Sequence, residues 1–120
     1  MERINIAKKF ARFSEQWQPK IVAELNGQEV KLVKVQGTFP WHYHNDVDEL
    51  FLVWQGRFRV EFRDGNVELG PGEFVVAPRG VEHRTAADEE AEVILLEPAG
   101  VLNTGNVNDE KFTAPMGERI

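Results

Sequence analysis

Residues 37–56 read GTFPWHYHNDVDELFLVWQG, and this stretch decides the reading of the chain. His42 and His44 stand two apart, and in extended backbone residues i and i+2 point to the same face. Their imidazoles therefore lie side by side, a natural two-point grip on a metal ion. Asn45-Asp46-Val47-Asp48 follows as a polar turn, and Glu49 opens an apolar run, Leu50 to Trp54, that stops at Gln55-Gly56. A short apolar run bounded by turn residues reads as a strand. A carboxylate at the start of that strand can return to the histidines as an oxygen ligand. Parity favours Glu49, which shares a face with Phe51 and Val53. A bulge in the loop would instead favour Asp48.

Outward from this stretch the pattern stays extended. Phe58, Val60 and Phe62 alternate with Arg57, Arg59 and Glu61, which is the period-two signature of a half-buried strand. Asp64-Gly65 turns the chain into Val67–Leu69. Further strands are expected at Glu73–Ala77, Glu82–Thr85 and Glu92–Glu97. On the N-terminal side, Lys20–Leu25 and Glu29–Val35 flank Asn26-Gly27, the signature of a tight hairpin. Turn signals every eight to twelve residues suggest a sandwich or barrel. Before the strands, Ile6, Phe10 and Phe13 fall on one face of a short helix with Asn5 as N-cap. Asp88, Glu89, Glu90 and Glu92 read as a solvated loop. After Pro98 the chain reads as an irregular tail carrying Leu102, Val107, Phe112 and Met116.

The third and last histidine, His83, follows Pro78-Arg79-Gly80 on a late strand. Strands distant in sequence face each other across an antiparallel β fold. Three imidazoles and a carboxylate suit divalent Fe, Mn, Zn, Ni or Cu, and disfavour Ca and Mg, which want oxygen shells. The 120 residues contain no cysteine, which removes disulfides, thiolate nucleophiles, zinc fingers and iron–sulfur clusters. Fourteen Lys and Arg stand against twenty Asp and Glu, a net charge of −6. That balance speaks against binding a phosphate backbone or an anionic membrane. No apolar run approaches a membrane span and the N-terminus lacks a secretory h-region, so the expected compartment is the cytoplasm.

The arrangement resembles the cupin superfamily, in particular its small single-domain members. The first cupin motif is glycine, a short gap, His-x-His, three or four residues, Glu, six residues, glycine. Here it reads Gly37, His42-Tyr43-His44, Glu49, Gly56. The second is glycine, five residues, Pro-x-Gly, two residues, His, three residues, Asn, and here it reads Gly72, Pro78-Arg79-Gly80, His83. The sequence departs twice: the gap from Gly37 to His42 is four residues rather than five, and Ala87 stands where the closing Asn is usual. Neither departure removes a ligand. The resemblance implies an all-β double-stranded β-helix, a jelly-roll barrel, with the metal inside and His42, His44, Glu49 and His83 as ligands. The expected layout is one domain over residues 1–120, with a barrel core at about 20–97 and a tail at 98–120.

Other residues invite a role beside a plainer one. Arg79 could meet an anionic substrate, but reads first as an exposed turn residue. Phe39, Phe51, Phe58, Phe62 and Phe74 could line a pocket, and most are expected in the core. Trp41, Tyr43 and Trp54 fall on faces opposite the ligands, which suggests a homodimer interface. The expected function is metal-dependent chemistry on a small organic molecule such as a sugar, keto acid or phenol, by an isomerase or a dioxygenase. All three histidines are committed to metal and no proton shuttle is identifiable. That keeps a second reading open: a small-molecule binding or sensing protein that uses the metal as an anchor.

Overall fold

In the computed structural model, which describes residues 1–114 and 117–120, Asn26 and Gly27 both take positive φ, at 52° and 78°. Two consecutive left-handed residues make the turn whose twist matches its flanking strands. The turn joins β1 (Lys20–Leu25) to β2 (Gln28–Thr38). The remaining strands are β3 (Glu49–Gln55), β4 (Phe58–Phe62), β5 (Gly65–Leu69), β6 (Phe74–Ala77), β7 (His83–Pro98) and β8 (Glu118–Arg119). One helix, α1 (Ile6–Phe10), precedes them, and the Asn5 side chain accepts from Lys8 N at 2.9 Å as its cap. The helix is shorter than the Asn5–Phe13 expected. Phe10 and Phe13 nevertheless reach the outer face of the sheet and pack on Leu32 and Ile94.

The eight strands form one sheet whose hydrogen-bonded path runs β5-β4-β7-β2-β1-β8, with β3 and β6 branching from β7. The closed jelly-roll barrel expected from the sequence is therefore overturned. Among the described residues no ladder returns from β8 or β6 to β5, so the sheet stays open. The cause is β7, a single 16-residue strand where two strands and a loop were expected. One edge of β7 pairs β2. Its other edge pairs β4 at residues 83–86 and β3 at residues 92–96. Three partners on one long strand curve the sheet over itself without joining its ends.

The acidic run is solvated but is not a loop between strands. Between the pairs Val35↔Ala91 and Gly37↔Ala87, β2 has only Gln36 while β7 has Asp88, Glu89 and Glu90. The three carboxylates loop out as a bulge, and pairing resumes on both sides. The tail is not wholly irregular either, since β8 pairs β1 in parallel and Ile120 N donates to Ile21 O at 3.0 Å. Met116 lies outside the described residues. No helix among the described residues is long and apolar enough to cross a membrane.

The inner face of the sheet carries rows of alternate residues: Val33 and Val35 on β2, Phe51 and Val53 on β3, Val93 and Leu95 on β7. At one end all three rows turn from apolar to charged together, into Lys31 and Glu29, Glu49, and Glu97, and each of these is buried. The candidate site begins at that level.

Candidate metal centre

His42 and His44 lie on the segment between β2 and β3, held extended by the start of β7. His42 N donates to His83 O and His83 N to His42 O, both at 2.9 Å, and Gly80 N donates to His44 O at 2.8 Å. These bonds carry the two imidazoles to His83. Glu49 arrives from the first position of β3, on the inward parity it shares with Phe51 and Val53. The four side chains are buried, and one ligand atom from each lies within 4.8 Å of all the others.

Two histidines are oriented by the same local device. His42 Nδ1 donates to the carbonyl of Pro40 at 2.8 Å, and His83 Nδ1 donates to that of Val81 at 2.9 Å. A carbonyl can only accept, so the proton sits on Nδ1 and leaves the Nε2 lone pair free to bind metal. Glu49 Oε1 lies 3.5 Å from His44 Nε2 and 3.6 Å from His83 Nε2. Ligand bonds of about 2.1 Å set neighbouring donor atoms roughly 3–4 Å apart, so this spacing suits one ion. His44 Nε2 and His83 Nε2 are buried with no hydrogen-bond partner among the described residues. Buried polar atoms without partners are costly, and a cation at the centre satisfies both. The residues fit a divalent transition metal.

The electrostatics agree with that fit. Burial holds His42 down to a pKa of about 4, so its ring is neutral and able to bind metal over the ordinary pH range. Burial alone would raise Glu49, but the neighbouring Glu97, His44 and His83 side chains outweigh it and hold the carboxyl well below the usual range. Glu97 moves the other way, pushed well above that range by burial and then by the neighbouring Glu49 charge. The two carboxyls stand side by side because Leu50 pairs Leu96 in the β3–β7 ladder. Behind Glu97, buried Lys31 Nζ donates to Glu97 Oε1 at 2.9 Å and lies 3.6 Å from Glu29 Oε1.

Asp48 lies outside this cluster. It accepts from Arg79 N at 2.9 Å and pairs with the Arg79 guanidinium, both side chains being exposed. Arg79 is the solvent-facing turn residue expected. Phe39, Phe51 and Phe58 line a cavity of about 40 Å³ that reaches His42 and Glu49. Phe62 is only partly buried, near His83, and Phe74 points outward at 60% exposure. Trp41 stacks against Arg63 and Arg84 of its own chain, and Tyr43 is bridged to Asn106 in both directions. Of the three aromatics expected at an interface, only Trp54 is left exposed.

The rest of the cavity wall was not visible in the sequence. Trp17 and Asn103 also line it, and Asn103 Nδ2 donates to Phe112 O at 2.7 Å and to Trp17 O at 3.4 Å. Phe112 stacks edge-on to both Trp17 and Phe39. Lys31 and Glu97 were also missed. Their one sequence signal is parity: each occupies an inward position of an otherwise apolar row.

The cupin domain family matches residues 28–97. The chain is 46% identical to a cupin-2 domain containing protein of known structure from Shewanella frigidimarina NCIMB 400. That match covers 79% of this chain and 93% of the other, with a TM-score of 0.78. A protein of known structure from Neisseria meningitidis is 33% identical over 81% of this chain and 99% of its own, with a TM-score of 0.74. The uncharacterized protein YdbB of Bacillus subtilis (strain 168) is 33% identical over 81 residues, 67% of this chain. The chain spans 66% of that curated relative's length, just under two thirds.

Proposed function

The chain belongs to the cupin family, and from that premise we propose that it binds one divalent transition metal through His42, His44, Glu49 and His83 and acts there on a small organic molecule. The observation that carries this reading is the pair of buried, unpartnered Nε2 atoms on His44 and His83, facing a carboxylate at metal-ligand spacing. Iron, manganese, zinc, nickel and copper all suit the donor set. A bound ion supplies a Lewis acid or a redox centre with one or two positions left for substrate.

The protein's own residues narrow the substrate. Beyond His42 and Glu49, the cavity wall consists of apolar side chains with Thr85 and Asn103, and no Lys or Arg lines it. A phosphate or carboxylate entering there meets no cation. A neutral molecule with an apolar body and an oxygen to present to the metal, of the phenol type, fits better than a sugar phosphate or keto acid. An isomerase needs a group to take and return a carbon-bound proton. The wall residues supply none besides the ligands, which favours oxygenase-type chemistry over isomerisation. The same feature supports the second reading, binding or sensing without turnover.

The test is elemental analysis of the purified protein beside His44→Ala, followed by oxygen uptake and calorimetry with neutral phenols. Metal near one per chain in wild type and lost in the variant supports the site. Equal metal in both sinks it. Heat of binding without oxygen uptake selects the binding reading. We also propose a homodimer, through the apolar outer face that Trp54, Phe74 and Val76 present on β3 and β6.

A further inference from the structure

The cavity beside His42 and Glu49 measures about 40 Å³. That is room for water-sized molecules, whereas a cavity of about 150 Å³ takes a benzene ring. A molecule with an aromatic body therefore enters only if part of the wall moves. Every residue lining the cavity is buried except Trp17 and Asn103, so the wall meets solvent chiefly at those two side chains. Asn103 is tied at both ends of its amide, donating to Phe112 O at 2.7 Å and accepting from Ala114 N at 3.0 Å. The Trp17 ring is held more lightly. It lies 4.8 Å from the Phe39 ring and edge-on to Phe112, and a single hydrogen bond, from Nε1 to Gln36 O at 3.0 Å, latches it. Rotation about its side-chain bonds releases all three contacts.

The backbone at Trp17 is a second observation. Its φ is 64°, in the left-handed region that is costly for a bulky side chain. Among the described residues the one other non-glycine with positive φ is Asn26, which the β1–β2 turn explains. Trp17 N donates to Lys34 O at 2.8 Å, and Gln16 bridges Lys34, so β2 holds the strained conformation in place. Strain persists where the surroundings over-determine it, and it gathers at ligand clamps and switches. Here it secures the place of the indole in the cavity wall.

We propose that Trp17 is the specificity-determining residue of the cavity: its ring occupies the space an aromatic substrate needs, and a ring-sized molecule is admitted when the indole swings off Phe39 while the backbone stays anchored on β2. The inference deepens the substrate reading above and rests on it. Phe39, vacated by the indole, is left to pack against the incoming ring. A larger substrate must displace the indole further, so Trp17 sets the size that the cavity accepts.

The probes are phenol and the bulkier 4-tert-butylphenol, added under argon to the protein as purified and followed by calorimetry. Trp17→Gly removes the ring and relieves the backbone. It is expected to tighten 4-tert-butylphenol at least tenfold more than it tightens phenol. Trp17→Phe leaves a smaller ring without the latch, and a several-fold change in the same direction is expected. Trp17 itself is followed by fluorescence in a Trp41→Phe, Trp54→Phe background, excited at the red edge of indole absorption where phenol is transparent. Phenol binding is expected to move its emission to longer wavelength as the indole meets water.

The same preference between the two phenols in Trp17→Gly as in wild type, or in Trp17→Phe should the glycine variant not fold, overturns the proposal. Phenol binding with no change in Trp17 emission also overturns it, because the indole then stays in place. Failure of both wild type and variant to bind either phenol brings down the substrate reading and this inference with it. Binding of both phenols with an unchanged preference brings down this inference alone.

Discussion

Glu49 and Asp48 are neighbours with the same charge and opposite fates. Glu49 points inward and faces two imidazoles, while Asp48 points outward to Arg79. Glu49→Gln is therefore expected to weaken metal binding by about tenfold or more, and Asp48→Asn to leave it nearly unchanged, in the same metal titration. The reverse ranking would contradict the structure at this position. His42 gives a pH signature in the metal-free protein. Its folded pKa is about 4 because burial penalises the cation, while an unfolded histidine titrates near 6.5. Between those values the unfolded chain holds a proton that the folded one does not. Stability from this residue is complete above about pH 6.5 and falls as pH drops towards 4, by roughly 3 kcal/mol in total. Chemical denaturation across that window should show the slope, and His42→Gln should flatten it. An equal slope in the variant would assign the effect to other groups.

At the scale of elements, the segment following Pro98 supplies part of the cavity wall through Asn103. Thr104 is fully buried, and its hydroxyl donates to the Val107 carbonyl at 2.5 Å. Gly105, at φ +57°, lies flat on the Tyr43 carbonyl, and a Cβ built there would also stand 3.2 Å from His42 Cδ2. Both the left-handed backbone and the close approach call for glycine. Gly105→Ala must push the segment off the His42 strand. The expected cost is about 2 kcal/mol or more, read as a lower midpoint in denaturant. Because Asn103 and Phe112 hold Trp17 over the cavity, Trp17 fluorescence should shift in the same variant, relative to a matched Trp41→Phe, Trp54→Phe background. Unchanged stability and emission would mean that the segment does not hold Trp17 in the cavity wall.

At the scale of the molecule, a metal at the candidate site is expected to be separable from the fold. The buried rows of β2, β3 and β7 are hydrocarbon side chains, so the sheet has a core of its own beside that site. A metal that binds only the folded state adds RT ln(1 + [L]/Kd), roughly 3–4 kcal/mol at a hundred- to thousand-fold excess over Kd. Chelation should lower the melting temperature by roughly 10 °C while leaving the far-ultraviolet circular dichroism of a β protein. Collapse to disorder would instead make the metal structural. The open sheet also bears on assembly. Phe74 and Val76 on β6 stand exposed beside Trp54, and among the described residues β6 pairs only β3. Light scattering at micromolar concentration should return twice the chain mass, and Trp54→Lys/Phe74→Lys should halve it. A wild-type monomer would remove the dimer from the reading.

The four-residue cluster was legible because its signals are local. His-x-His fixes two imidazoles on one face, Glu49 sits at the parity of Phe51 and Val53, and the Pro78-Arg79-Gly80 turn stands before His83. Strand periodicity and the Asn26-Gly27 turn likewise depend only on neighbours along the chain, and they placed most of the strands. What only the tertiary structure decided depends on which strands meet. The sheet stays open, against the expectation of a barrel, because one continuous β7 serves three partners and swallows an acidic run that by itself reads as a loop. Lys31 and Glu97 look like ordinary surface charges in strands and become a buried pair behind Glu49 only when β2, β7 and β3 align. Trp17 and Asn103 reach the cavity from opposite ends of the chain, and Phe112 packs on Trp17. Periodicity reports which face a side chain takes and carries no information about what lies across from it. The donor atoms of the site were therefore readable one strand at a time, and the groups that hold and cover them were not.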